Sequence, residues 1–275
     1  MPAAGAPLIS VIVPTRDRPL PLEACLTALE VQTVADRLEV VVVDDGSAAR
    51  ETVAQVVGRH PRATLVRRGG AGPAAARNAG ARAARGDMLL FTDDDCVPEV
   101  DWAEELMAAI QAGADAVAGT TLNTGGALAA ASSVISWAPA SVEPFAPTNN
   151  LACTKAVFEA VPFDESYEQA AAEDREWCAR LAATGHTLRS QPSARVHHRQ
   201  RLTPTSFLVR QVRYGRGAYR FRSSARRSLE PISFYVNLVR RGFSRGFRVG
   251  VLVALAQVAT AYGWAQGWLE MRRER

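Results

Sequence analysis

Apolar residues along this chain follow two different spacings. Leu8–Val13 (LISVIV) and Leu38–Val43 (LEVVVV) are largely apolar runs rich in β-branched residues, and Met88–Thr92 (MLLFT) is a third apolar run. Continuous runs of that length predict strands buried on both faces of a sheet. Ala63–Arg67 predicts a shorter strand. Between the runs the spacing widens to three and four residues. Leu22, Leu26 and Leu29 place an apolar stripe on a helix over Pro19–Thr33, and Ala48–Val57 and Trp102–Gln111 predict two more. Pro73–Arg85 is alanine-rich with proline at its start, which suits the first helical turn. Strand and helix alternate throughout, so the expected fold is α/β. It should hold a doubly wound, mostly parallel sheet flanked by helices, with right-handed crossovers.

The pattern changes in the second half. Gly125–Pro147 is rich in Ala, Ser and Pro and is expected to be a long loop. Glu173–Thr184 predicts a helix stopped by Gly185, and Ser206–Arg227 a longer one. Val249–Leu269 approaches the length of a membrane span, but Gln257, Thr260, Gln266 and three glycines dilute it. A surface-lying or dimer-forming helix is the preferred reading over a span. The expected division is a catalytic domain over residues 1–200 and a helical extension over 201–275.

Composition narrows the class. The chain has 275 residues, 48% hydrophobic and 22% charged, so it is globular and not disordered. Cys25, Cys96, Cys153 and Cys178 are scattered without a CxxC pair, which argues against a zinc ribbon or a disulfide framework. No secretory signal is visible, and a cytoplasmic location is expected, with peripheral attachment to the inner membrane face as its extension. Charge is divided unevenly. Residues 1–194 carry 15 basic and 25 acidic side chains, whereas residues 195–275 carry 17 arginines and 3 glutamates. The basic segment suits an anionic membrane surface, a lipid-phosphate acceptor or a homo-oligomer contact. No nucleic-acid recognition motif accompanies it.

Sheets of this kind bind ligands at the carboxyl ends of their strands. Three strand ends are polar there: Thr15–Arg18, Asp44–Ser47 and Asp93–Asp95. The last lies in LLFTDDDCVP, where three adjacent carboxylates repel one another. A divalent cation, Mg²⁺ or Mn²⁺, would let such a cluster hold a phosphate-bearing nucleotide. In an extended chain Asp93 and Asp95 point one way and Asp94 the other, toward a sugar hydroxyl. A solvated acidic turn is the plain alternative. An NAD-binding domain is disfavoured, because the first strand is followed by PTRDRP and not by GxGxxG. The glycines instead fall at Gly69, Gly70 and Gly72. Asp44 or Asp45 remains suited to a nucleoside base or ribose.

Four separated stretches, VIVPTRDR, QTVADRLEVVVVDDGS, GPAAARNAGARAARGDMLLFTDDD and EDREWCARLAATGH, resemble glycosyltransferase family 2 across roughly residues 8–200. The resemblance implies a GT-A fold and inverting transfer of a sugar from a nucleotide-diphosphate donor. It implies that Asp93 and Asp95 hold the metal and the donor diphosphate, with Asp94 beside them. Asp44 and Asp45 would bind the nucleoside. Pro14, Thr15, Arg16 and Arg18 would edge the base pocket, and Arg77 and Asn78 would line the nucleotide site. Glu173 and Asp174 match the family's ED pair, with Asp174 as the base that deprotonates the acceptor hydroxyl and Glu173 positioning either the acceptor or that base. Without the resemblance, that pair reads as an acidic first helical turn. An extended RVHH turns His197 and His198 to opposite sides, so one reaches the site; His197 is the expected further metal ligand. Asn149 and Asn150 fall where acceptor-side residues are expected. QxxRW is absent, QVRY at Gln211–Tyr214 having the wrong spacing, which favours single-sugar, non-processive transfer. The competing readings are a catalytically silent nucleotide-sugar binder or scaffold, and another nucleotide-dependent transferase.

Overall fold

The computed structural model describes residues 9–136, 145–169, 171–224 and 229–273. Leu8 of the first expected strand, 137–144 of the expected loop and 225–227 of the expected long helix lie outside the described residues. In chain order the first half runs β1 (Ile9–Thr15), α1 (Pro19–Glu30), β2 (Leu38–Asp45), α2 (Arg50–Gly58), β3 (Ala63–Arg68), α3 (Pro73–Ala83), β4 (Met88–Phe91), β5 (Cys96–Pro98) and α4 (Trp102–Gln111). The second half runs β6 (Ala116–Asn123), α5 (Ala127–Ser136), β7 (Leu151–Thr154), α6 (Lys155–Ala160), α7 (Glu173–Ala183), β8 (Leu188–His198), α8 (Pro204–Ser224), α9 (Ile232–Ser244) and α10 (Phe247–Arg273).

The eight strands form one sheet in the order β3-β2-β1-β4-β7-β6-β8-β5. The β3-β2-β1-β4 half is parallel, as the continuous apolar runs require. From β4 onward the pairs β4–β7, β6–β7 and β5–β8 are antiparallel. The expected mostly parallel sheet is therefore a mixed one. The late strands carry a weaker signal, because β8 (LRSQPSARVHH) has few apolar residues and buries only Ala194, Val196 and His198.

Helices cover both faces. Ile9, Val11 and Val13 of β1 face a core shared with α1, α2 and α4, where Trp102 and Leu106 are fully enclosed. Ile12 turns to the opposite core, built from α3, α6 and α7 around Phe158, Phe163 and Trp177. Alanines in α3 bring that helix close against the sheet, with Ala74, Ala75 and Ala76 all buried.

A polar knot sits among these apolar layers. Glu39 of β2 accepts from the Ser10 hydroxyl at 2.6 Å, from the Arg85 backbone N–H at 2.5 Å and from Arg85 Nε at 2.7 Å. The Ser10 oxygen in turn accepts from the Gly86 N–H. Burial pushes the Glu39 carboxyl up, but these donors outweigh it and hold the group below its usual range. A carboxyl held low adds stability at neutral pH that is lost as pH falls through its folded-state value. Glu39→Gln should therefore cost about 1.5–3 kcal/mol at pH 7, the worth of hydrogen bonds to a buried charge. The cost should begin to shrink as pH falls below about 4.3, the ordinary glutamate value, and be gone below the lowered folded-state value, where the wild-type carboxyl is itself protonated. Denaturant titrations at the two pH values check this, and an equal cost at both would contradict it.

The chain forms two compact units, and two segments upstream of residue 199 belong to the second. The first comprises Met1–Leu122, Pro144–Glu168 and Asp174–His198; the second comprises Asn123–Glu143, Gln169–Glu173 and Arg199–Arg275. Part of the expected loop is α5, whose Ala131 is buried in the second unit with Phe207, Leu238, Val249 and Val253. Alanine is the strongest helix former, so this small-residue stretch folds as helix where a loop is expected. All four cysteines are buried and none of them is in a disulfide.

Candidate active site

The three polar strand ends meet. Thr15, the last residue of β1, donates its hydroxyl to Asp94 Oδ2 at 2.7 Å. Arg18, just beyond, bridges Asp94 Oδ1 and Asp95 Oδ2 at 2.9 Å each. Asp17 accepts from the Ala48 N–H, and its own N–H donates to the Ser47 hydroxyl, tying the exit of β1 to the exit of β2. Asp17 holds φ at +55°, a region that non-glycine residues rarely enter.

The triplet itself is not extended. The Cys96 N–H donates to the Asp93 carbonyl at 3.0 Å, closing a tight turn before β5. The expected alternation, with Asp93 and Asp95 on one side, fails for that reason. Asp94 and Asp95 share Arg18, while Asp93 turns to Arg77, whose Nη2 donates to it at 2.8 Å. Arg77 is only 3% exposed despite its charge. Burial pushes the Asp94 carboxyl up to about 6, against the pull of Arg18 and Thr15. Asp95 also feels burial, but His198 and Arg18 together hold it below the usual carboxylate range. Two arginines and a histidine thus offset three crowded acids.

His198 is the histidine at the site, and the expectation for His197 is corrected. Antiparallel register sets Cys96 opposite His198 and Val97 opposite His197. His198 Nε2 lies 3.0 Å from Asp95 Oδ1. His197 faces the other way, with Nε2 2.9 Å from Glu99 Oε1. Period-two reasoning put the rings on opposite sides; only the pairing partner decides which side is which. Asn149 stands behind His198, its amide nitrogen 3.4 Å from Nδ1 and its oxygen accepting from the Thr121 hydroxyl. Asn150 instead binds the Trp102 indole N–H and the Thr120 and Ala194 carbonyls, a wholly internal role.

Asp95, Cys96 and His198 bring ligand atoms within 4.8 Å of one another. Carboxylate and imidazole suit Mn²⁺ or Mg²⁺, which favour hard donors. Cys96 does not: burial keeps its thiol far above its ordinary range and therefore protonated. Asp93 and Asp94 adjoin Asp95 in the chain, but their carboxylates turn to Arg77 and to Thr15 with Arg18. The Asp95 carboxylate and the His198 imidazole are the donors here that fit a divalent ion.

The nucleoside candidates divide. Both oxygens of Asp45 are engaged, accepting from the Ala71 and Gly72 N–H groups at 3.0 and 2.8 Å. Gly72 holds φ at +91°, and a Cβ there would lie 2.0 Å from the Glu168 carbonyl oxygen. Asp44 accepts from the Ser47 N–H through Oδ1. Pro14 and Thr15 pair with Val43 and Asp44 in the sheet, and the Arg16 guanidinium lies beside Gly70. The expectation for Asn78 is corrected: its buried amide is occupied by the Phe163 backbone on both sides and by Glu165.

Glu173 and Asp174 open α7. Glu173 is buried, and Asp174 Oδ1 accepts from the Arg175 N–H at the helix start, where backbone donors lack partners. Ala172 just before them holds φ at +71°. Among the described residues, Asp17 and Ala172 are the two non-glycine positions with positive φ, and each adjoins a group singled out in the sequence. An aromatic chain anchors α7. Phe91 of β4 stacks on Phe163 with ring centres 5.7 Å apart, and Phe163 on Trp177 at 5.6 Å. The strand leading to the triplet and the helix bearing Asp174 are thereby packed on one core.

A family model described as glycosyl transferase family 2 matches residues 10–160. Among curated proteins, "Pre-mycofactocin glycosyltransferase" of Mycobacterium tuberculosis is 28% identical over 228 residues, covering 76% of this chain and 46% of its own length. An uncharacterized glycosyltransferase of Haemophilus influenzae is 40% identical over 88 residues, covering 32% of this chain and 29% of its own length. The chain spans about half the length of that mycobacterial relative and less of the other. Among solved structures, the mannosyltransferase PcManGT of Pyrobaculum calidifontis, in complex with GDP-Man and Mn²⁺, aligns with a TM-score of 0.62 at 22% identity, over 95% of this chain and 76% of that one. TarS of S. aureus, residues 1–349 with UDP, aligns with a TM-score of 0.55 at 18% identity, over 86% of this chain and 72% of that one. At these identities the structures establish a shared GT-A-like fold.

Proposed function

The chain belongs to glycosyl transferase family 2, and from that premise we propose that it is a metal-dependent, inverting glycosyltransferase moving one sugar from a nucleotide-diphosphate donor to an acceptor hydroxyl. One observation carries the reading: three strand ends converge on a buried carboxylate cluster braced by Arg18, Arg77 and His198. A purely structural acidic turn has no need of two arginines, a histidine and a strained Asp17. The mannosyltransferase with GDP-Man and Mn²⁺ supports both donor class and ion.

In this reading Asp93, Asp95 and His198 hold Mg²⁺ or Mn²⁺, with Asp94 beside them. The bound ion would neutralise charge on the departing nucleoside diphosphate. Asp44 is assigned to the nucleoside and Asp45 to the glycine loop, because Asp45 has both oxygens engaged there. Thr15, Arg16 and Arg18 border the base and diphosphate, and Arg77 sets the Asp93 carboxylate in place. Asp174 takes the proton of the acceptor hydroxyl as its oxygen attacks the anomeric carbon from the side opposite the diphosphate. Glu173 positions that base. No covalent sugar–protein adduct is required. The four buried thiols fit a cytoplasmic location.

Excess chelator should abolish sugar transfer, and added Mn²⁺ or Mg²⁺ should restore it. Full turnover in chelator would remove the metal from the reaction. A catalytically silent binder would bind donor under both conditions without ever releasing nucleoside diphosphate.

A further inference from the structure

In the helical unit, α8 and α10 pack with almost nothing between their backbones. A Cβ on Gly215 would stand 2.1 Å from the Thr260 carbonyl oxygen, and one on Gly263 1.9 Å from the Val212 carbonyl oxygen. That seam fixes which side of α10 is inside: Gly250, Val253, Ala256, Gly263 and Gly267 are buried. The outer side carries Leu255, Val258, Tyr262 and Leu269, all exposed and three, four and seven residues apart. No charged residue lies between Arg248 and Glu270. The helix is long and apolar enough to cross a membrane. Its partner α8, however, carries Arg210, Arg213, Arg216, Arg220 and Arg222, which could not follow it into hydrocarbon without severe cost. A membrane would therefore meet α10 along one face.

Beside that face is an open cavity of about 430 Å³, lined by Gln169, Val209, Val212, Arg213, Arg216 and Gln266. Gln266 neighbours Tyr262 and Leu269 on the helix surface. The Nε groups of Arg213 and Arg216 are buried with no hydrogen-bond partner among the described residues. Arg216 pairs with Glu270 through Nη2 at 2.9 Å, while Arg213 has no acidic partner among the described residues. The Arg213 guanidinium therefore brings an uncompensated positive charge to the cavity wall, and an anion with several oxygens matches it. Val209, 62% exposed, gives the rim an apolar lip.

We infer that this cavity binds the phosphate of a phosphate-bearing lipid, with its hydrocarbon lying along the Leu255–Leu269 stripe. A second copy of the chain is a poorer occupant, since residues 195–275 carry 17 arginines against 3 glutamates and two such surfaces repel.

The test is co-sedimentation of the full chain with phosphatidylcholine vesicles containing either phosphatidic acid or phosphatidylserine, matched in surface charge. Tighter binding to phosphatidic acid is expected. Arg213→Gln should weaken it about fivefold, the worth of one arginine at such a surface, and remove the preference. Val209→Asp, at an exposed rim position, should do the same with unchanged thermal unfolding. Arg240→Gln, on α9, should lower binding to both vesicles alike and leave the preference intact. Equal binding to the two vesicles, or a preference surviving in Arg213→Gln, would overturn the inference. So would stabilisation by millimolar inorganic phosphate with no vesicle preference, which would make free phosphate the ligand. Self-association without vesicle binding would assign the stripe to a second copy and overturn it equally.

Discussion

Asp174→Asn should fold, bind donor normally and lose sugar transfer by about 10²- to 10⁴-fold, the usual contribution of a positioned general base. Asparagine can still accept the Arg175 N–H through its amide oxygen, so the start of α7 is preserved. Trp177 and Leu181 further down the helix remain packed, and the melting temperature should hardly move. The loss should appear in kcat with donor affinity unchanged, because the base acts on the acceptor. Donor hydrolysis to water gives an independent readout and should fall with it. Turnover within a few-fold of wild type would remove Asp174 from the chemistry and return it to an acidic helix start.

Asp95→Asn is expected to have the second largest effect, and for a different reason. Asp95 touches both Arg18 and His198. Its amide isostere keeps the shape but removes the charge that an ion and the imidazole both need. Transfer should drop by about 10²- to 10³-fold, the cost of losing one preorganised charge at a developing oxyanion. The Mn²⁺ concentration for half-maximal rate should rise as well. A merely structural role would lower the melting temperature and leave the metal dependence where it was. His198→Asn should raise the required Mn²⁺ in the same direction, whereas His197→Asn should not, since His197 faces Glu99.

Much of the fold was legible because β1, β2 and β4 are buried on both faces. LISVIV, LEVVVV and MLLFT announce themselves, and helices between them follow from leucine spacing. The antiparallel strands do not, because β8 has few apolar residues and β5 has only three residues. Their absence from the sequence reading explains the histidine error. His197 and His198 differ by one register step, and register is a property of the pair of strands. The acidic triplet was correctly placed at a strand end, but its geometry depends on a single hydrogen bond from the Cys96 N–H that turns Asp95 toward Arg18. Asn78 sits next to Arg77 yet serves the Phe163 backbone, because successive helix positions point about 100° apart. The helical unit was legible in charge and length but not in extent, since α5 is drawn into it from far upstream.

The most direct measurement is calorimetric binding of nucleoside diphosphates, GDP and UDP first, with Mn²⁺ and with excess chelator, to wild type and to Asp95→Asn. Wild type should bind one of them tightly only with Mn²⁺, and the variant should bind it weakly under both conditions. Equal affinity with and without the ion, unchanged by the substitution, would contradict a diphosphate site built on these aspartates.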